Sequence, residues 1–105
     1  MKRLMYIECK TNGHRGPAHI GWVELSRSAR SYYYRGKRLE KTGAGYKYNC
    51  FDSETGERYW VSGPKRNGGD RLYGGIVQID EDAREEYWLH IRRQPQYRSL
   101  TQYRS

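Results

Sequence analysis

Tyrosines and cations are interleaved in residues 30–41, which read RSYYYRGKRLEK. Small β-barrels bind single-stranded nucleic acid by stacking bases on aromatic rings while cations follow the phosphate backbone. If residues 31–39 form one strand, its two-residue period places Tyr32 and Tyr34 on one face and Tyr33 on the other. The candidate polyanion-binding residues of this segment are Arg30, Tyr32, Tyr34, Arg35, Lys37 and Arg38.

The same pattern also has a purely structural interpretation. A strand can pack one tyrosine face into the core while its cations protect a sheet edge from pairing with another chain. In that case two of the three consecutive tyrosines are buried and unable to meet a ligand. The sequence leaves both interpretations open.

A second cationic segment lies in the loop at residues 63–70, which reads GPKRNGGD. Three glycines and one proline predict an irregular loop. Lys65 and Arg66 beside this flexible backbone are suited to holding a phosphate or a carboxylate. Arg71, directly after the loop, completes the predicted polyanion-binding set. The alternative is a solvated hairpin tip that holds no ligand.

Cysteine and histidine would carry nucleophilic or metal chemistry, but their spacing supports neither. Four residues separate Cys9 from His14, and four more separate His14 from His19. Structural zinc sites usually pair their ligands at tighter spacing. Nothing near Cys50 indicates the oxyanion site that a Cys–His nucleophile requires. We therefore expect no catalytic residue, metal or cofactor, and a binding module instead of an enzyme.

The charge of the chain is high and unevenly distributed. Its 105 residues carry 20 Lys and Arg against 12 Asp and Glu, for a net charge of +8. Fifteen of the cations lie in residues 1–71, whereas residues 72–91 hold five acids and one cation. Such a field attracts polyanions and acidic partners before contact. The charge thus favours nucleic acid or an acidic protein as the partner.

The chain shows no targeting or membrane-spanning pattern. Residues 1–10 lack the apolar run of a secretory signal, and no stretch approaches 18 apolar residues. We therefore expect a cytoplasmic protein that does not enter a membrane. Without secretion, Cys9 and Cys50 are expected to be free thiols.

Alternating apolar and polar residues predict six strands, at 3–10, 19–25, 31–39, 46–52, 57–62 and 71–79. Residues 52–56 (DSETG) predict a hairpin connection between the fourth and fifth. The predicted fold class is mainly β, a small antiparallel sheet or an SH3-like or OB-like open barrel with one C-terminal helix.

The helix is predicted over about residues 81–92, where Ala83, Tyr87 and Ile91 recur every four residues beside Trp88. We expect this stripe to cover the sheet, with Trp88 meeting Trp60. Residues 1–93 then form one basic domain. Residues 94–105 contain QYRS twice with few apolar residues, and are predicted to be a disordered tail.

Several strings resemble a family of small uncharacterised bacterial proteins. They are ETGE at 54–57, YWVSGPK at 59–65, DRLY at 70–73, DED at 80–82 and REEYW at 84–88. The resemblance extends from about Met5 to Pro95 and leaves the repeated tail outside. It implies no established activity.

The sequence therefore predicts a small basic module that binds a polyanion. The favoured polyanion is nucleic acid, either single-stranded DNA or RNA. The alternative is a protein-interaction or inhibitor module, like an immunity protein or an antitoxin, that binds an acidic protein partner. Nucleic-acid binding weakens steeply with salt, which separates the two.

Overall fold

The computed structural model describes residues 1–11, 13, 16–43, 45 and 47–105. The chain is mainly β, as predicted. The strands are β1 (Lys2–Cys9), β2 (Ala18–Leu25), β3 (Ser31–Tyr34), β4 (Lys37–Lys41), β5 (Cys50–Asp52), β6 (Arg58–Ser62), β7 (Ile76–Ile79) and β8 (Gln102–Arg104).

Six of these strands close into an antiparallel barrel in the order β1-β6-β5-β4-β3-β2, because β1 also pairs with β2. The prediction was a small antiparallel sheet or an open barrel; the structure is a barrel, and it is closed. Pairing of Cys50 with Tyr59 and of Phe51 with Arg58 confirms the predicted hairpin between β5 and β6. β5 is much shorter than the predicted strand at 46–52, of which Tyr46 lies outside the described residues.

The predicted third strand is in fact two strands. Tyr34 pairs with Lys37, and between them Arg35 and Gly36 form a two-residue turn with φ of 49° and 76°. Positive φ at both turn residues matches the twist of the flanking strands. The turn places Arg35 and Lys37 at one end of the barrel.

The inner faces of the strands fill the barrel with apolar side chains. Met5, Ile7 and Cys9 of β1 point inward, while the intervening Tyr6 and Glu8 point outward and are also buried. This two-sided burial arises because the outer face of β1 and β2 is covered too. The buried barrel residues are Met5, Ile7, Cys9, Val23, Tyr34, Leu39, Cys50, Tyr59 and Val61.

The outer layer is built on β7, which pairs in parallel with β2, and on β8, which pairs antiparallel with β7. A helical segment over residues 81–91, named the cover helix, packs on the same face. It passes from a 3-10 turn (Glu81–Ala83) through one α turn (Arg84–Glu86) to a π turn (Tyr87–Ile91). Trp88 is only 2% exposed and belongs to an apolar cluster with Tyr87, Val77 and Ile79. Trp60 packs against this cluster.

Residues 94–105 do not form the disordered tail that was predicted. After a 3-10 turn at Pro95–Tyr97, β8 pairs with β7, and Tyr103 opposite Val77 is buried. The ring of Tyr103 stacks on that of Tyr87 at 5.3 Å between centroids. One deeply buried aromatic ring thus anchors a segment that is otherwise polar.

No described helix combines the length and the apolar character needed to cross a membrane. Cys9 and Cys50 are both unpaired and buried.

Candidate nucleic-acid interface

The three consecutive tyrosines of β3 differ in which side of the strand they face and in how far they are buried. Tyr34 is only 6% exposed, and its hydroxyl donates a hydrogen bond to Asp80 Oδ2 at 2.6 Å. Tyr32 is half-buried against the barrel core, with Lys41 Nζ at 4.7 Å from its ring centroid. Tyr33 is 41% exposed. The prediction of Tyr34 as a base-stacking residue is therefore corrected, and Tyr33 is the ring available on this strand.

The cations predicted around these tyrosines do not form one surface. Arg35 and Lys37 line a cleft at the end of the barrel, where Arg35 is paired with Asp80 at 2.6 Å. Arg38 lies on the outer face opposite Tyr33 and contacts Glu40 at 2.7 Å. Arg30 is exposed before β3.

The cations predicted at the loop of residues 63–70 and directly after it also differ in exposure. Lys65 and Arg66 are exposed on their loop. The side chain of Arg71 is only 9% exposed, and its guanidinium donates to the carbonyl oxygens of Ile76 at 2.9 Å and Gly16 at 2.6 Å. Arg71 therefore fastens its loop to the barrel, which corrects its assignment as a ligand-binding residue.

A basic cleft runs between the barrel and residues 63–75, named the cleft loop. It has two adjoining lobes of about 390 Å³ and 430 Å³, which share Lys10, Lys47 and Leu72 among their lining residues. Five cations and two carboxylates line it in the part of the chain that the structure describes. The cations are Lys10, Lys47, Arg58, Lys65 and Arg71, and the acids are Glu8 and Asp70.

Both carboxylates of the basic cleft are already engaged within the protein. Glu8 is 1% exposed, accepts a hydrogen bond from the Tyr6 hydroxyl and lies 2.8 Å from Lys10 Nζ. Asp70 accepts from the Tyr103 hydroxyl at 2.7 Å and from the backbone N–H of Lys65 at 2.6 Å. Lys10 and Arg71 are engaged as well, since their side chains are only 13% and 9% exposed, so the exposed cations of the cleft are Lys47, Arg58 and Lys65.

Aromatic rings accompany these cations. Tyr48 and Tyr73 line one lobe, and Trp60 lines the other. The guanidinium of Arg58 lies 5.5 Å from the centroid of the Tyr48 ring. Tyr73 is 68% exposed and adjoins Leu72, which is 76% exposed. Large exposed rings beside cations are the components of a single-strand binding surface.

An outer stripe of four residues continues from the basic cleft across the barrel. Arg58 pairs with Phe51 between β6 and β5, and Tyr33 pairs with Arg38 between β3 and β4. Phe51 is 38% exposed. Since strands are about 4.8 Å apart, the outer stripe (Tyr33, Arg38, Phe51 and Arg58) spans roughly 14 Å from β3 to β6.

Sequence reasoning missed Lys10, Lys47 and Arg58 because each stands alone in the sequence, without a neighbouring cation. Tertiary structure gathers them. Phe51 carried a usable signal, since the two-residue period of the predicted strand places it on the face of Lys47 and Asn49, opposite Cys50.

No match emerges when the chain is compared with protein-family models, with curated proteins and with solved structures. Within the described residues, no group of three or more His, Cys, Asp or Glu side chains is arranged to hold a metal ion. His14, considered above as a metal ligand, lies outside the described residues.

Proposed function

We propose that the protein is a module that binds single-stranded nucleic acid in the basic cleft, with the outer stripe extending the path of the strand. The observation that carries this proposal is the basic cleft itself, where the exposed cations Lys47, Arg58 and Lys65 lie beside three aromatic residues. An OB-like or SH3-like barrel type, predicted from sequence, agrees with such a role.

In this proposal the exposed cations bind phosphates and the aromatic rings stack on bases. Lys47, Arg58 and Lys65 contact phosphates, and Arg66 adds charge at the rim of the cleft loop. Tyr73 and Tyr48 offer faces to bases in the cleft, and Phe51 and Tyr33 do so on the outer stripe. Each stacked base contributes about 1–3 kcal/mol. Stacking accepts every base, so little sequence preference is expected.

Fluorescence anisotropy of a labelled twelve-residue oligo-dT tests this proposal at 50 mM salt. We expect a Kd in the micromolar range for the wild type and at least a tenfold weaker Kd for the triple variant Lys47→Gln, Arg58→Gln, Lys65→Gln. The matched control is Lys2→Gln, Arg27→Gln, Arg30→Gln, which removes the same charge from exposed residues outside the cleft. Equal weakening by both variants would show attraction by net charge alone and would overturn the cleft as the site.

The rival function is binding of an acidic protein, and one observation favours it. Leu72 and Tyr73 form an exposed apolar pair beside the cations, and tyrosine and arginine are enriched at interface hot spots. The variant Leu72→Ala distinguishes the two functions, since leucine offers no ring to a base. Nucleic-acid binding predicts an unchanged oligonucleotide Kd, whereas a protein interface predicts that this variant loses a partner that co-purifies with the wild type.

A further inference from the structure

A separate cleft of about 400 Å³ opens at the end of the barrel that carries the Arg35-Gly36 turn. This cleft, named the barrel mouth, shares none of its described lining residues with the basic cleft. Its volume falls in the range of small-molecule sites, which combine apolar walls with a few converging polar groups. Ile7, Pro17 and Tyr59 supply such walls.

Asp80 organises the polar side of the barrel mouth. Its carboxylate accepts hydrogen bonds from the Tyr34 hydroxyl and from Arg35, both at 2.6 Å, and lies 3.5 Å from His19 Nδ1. Burial alone would raise the pKa of Asp80, but His19, Tyr34 and Arg35 together hold it below its usual value. The carboxylate is thus charged and fully engaged by these three side chains.

This network fixes two side chains of the mouth in defined positions. Nδ1 of His19 faces Asp80 at 3.5 Å, which orients the imidazole ring. The guanidinium of Arg35 is held by its hydrogen bond to Asp80, and the backbone of Arg35 is set by the left-handed turn, with φ of 49°. Groups fixed before a ligand arrives lose less conformational entropy on binding.

Lys37 is the cation of the mouth that Asp80 does not engage. It is half-buried at the start of β4, next to the turn. Glu57 is the acid among the described lining residues, and it accepts a hydrogen bond from the Thr55 hydroxyl. Lys37 also helps to lower the pKa of Asp52, which does not line the mouth. Lys37 and the guanidinium of Arg35 are therefore the cationic donors of the mouth beside an apolar wall.

We propose that the barrel mouth binds a small organic anion, a carboxylate or phosphate monoester with a compact apolar body. Lys37 and Arg35 receive the anionic group, and the body packs on Ile7, Pro17 and Tyr59. The ring of Tyr59 also forms one wall of the barrel core, which makes that wall rigid. This site is independent of the proposed nucleic-acid function.

An NMR titration of the isotope-labelled protein with phenyl phosphate, benzoate and benzyl alcohol tests the proposal. Amide shifts from both anions are expected to centre on Arg35 and Lys37, with millimolar or tighter Kd. Benzyl alcohol, which has a similar body without charge, is expected to bind at least tenfold more weakly. Shifts confined to the basic cleft, or equal affinity for the alcohol, would overturn the proposal.

Two variants at Lys37 and one control complete the test. Lys37→Gln is expected to weaken phenyl phosphate binding about tenfold, and Lys37→Arg to retain it. Lys41→Gln on the same strand is the control, since Lys41 is exposed, lies over Tyr32 and does not line the mouth. Amide spectra report whether each variant is folded. Unchanged binding in folded Lys37→Gln would contradict the site, whether or not the protein binds nucleic acid.

Discussion

The hydroxyl of Tyr103 donates a hydrogen bond to Asp70 Oδ2 at 2.7 Å, which joins the last strand to the cleft loop. Burial raises the pKa of Tyr103, and the hydrogen bond to Asp70 raises it further, so the hydroxyl remains protonated and able to donate. Oδ1 of the same carboxylate accepts the backbone N–H of Lys65 at 2.6 Å. The C-terminal strand thereby helps to position a cation of the basic cleft.

Replacing Tyr103 by Phe removes this hydrogen bond and keeps the ring. The backbone amide of Lys65 should then exchange with solvent roughly tenfold faster, since a hydrogen bond to a charged group contributes about 1.5–3 kcal/mol. Hydrogen exchange followed by NMR measures the change. Tyr97→Phe, in the first copy of the QYRS repeat, is the matched control because Tyr97 is 41% exposed. Identical exchange in the two variants would refute the coupling.

Removal of residues 102–105 should destabilise the protein by about 3 kcal/mol. The truncation takes away the buried ring of Tyr103, and loss of a buried aromatic side chain costs about 3–5 kcal/mol. Urea denaturation of the two chains measures the difference. A truncated chain as stable as the parent would support the disordered tail predicted from sequence and contradict the docked β8.

Trp88→Ala should lower the free energy of unfolding by about 3–5 kcal/mol. Trp88 is 2% exposed, meets the rings of Tyr87 and Tyr103, and donates its indole N–H to the carbonyl of Leu100 at 3.1 Å. The comparison is Leu100→Ala, which truncates a side chain in a residue that is 45% exposed. Similar urea midpoints for the two variants would mean that the cover helix does not close the core.

Stability should fall in acid partly through Asp52. Its carboxylate accepts the backbone N–H of Glu54 at 2.9 Å, and this bond outweighs burial and keeps the pKa of Asp52 below its usual value. A carboxylate with a lowered folded pKa stabilises the fold above its unfolded pKa of about 4, and this contribution disappears as pH falls through the folded pKa.

Asp52→Asn keeps the accepting oxygen but cannot ionise. The variant should be less stable than the parent at pH 7, by about 1 kcal/mol, and the difference should shrink toward pH 2. Urea denaturation at both pH values measures it, with the exposed Glu54→Gln as a charge control. A difference that persists unchanged at pH 2 would contradict ionisation as its source.

Sequence periodicity located most of the sheet because the residues of a strand either alternate between apolar and polar or, where both faces are buried, are apolar throughout. It merged β3 and β4, since Arg35 is an unusual residue for a left-handed turn position and only Gly36 signalled it. It also missed β8, since a three-residue strand with one buried ring has too few positions to show a period.

The candidate site was less accessible to sequence reasoning. Charge alone assigns Arg71 to the surface, yet its side chain bonds carbonyl oxygens of two distant segments. The cations of the basic cleft come from four places: the residue after β1, the segment before β5, β6 itself and the cleft loop. Barrel closure brings them together. That closure depends on the pairing of β1 with both β2 and β6, which local patterns do not encode.

The salt dependence of oligo-dT binding tests the central claim most directly. Release of counterions from a single strand gives a slope of log K against log salt of about −0.7 for each neutralised phosphate. Contacts from Lys47, Arg58, Lys65 and Arg66 therefore predict a slope of roughly −3 for the wild type, and near −1 once the first three are replaced by Gln. Binding that is absent at 50 mM salt, or a slope that the triple variant leaves unchanged, would contradict a nucleic-acid strand held in the basic cleft.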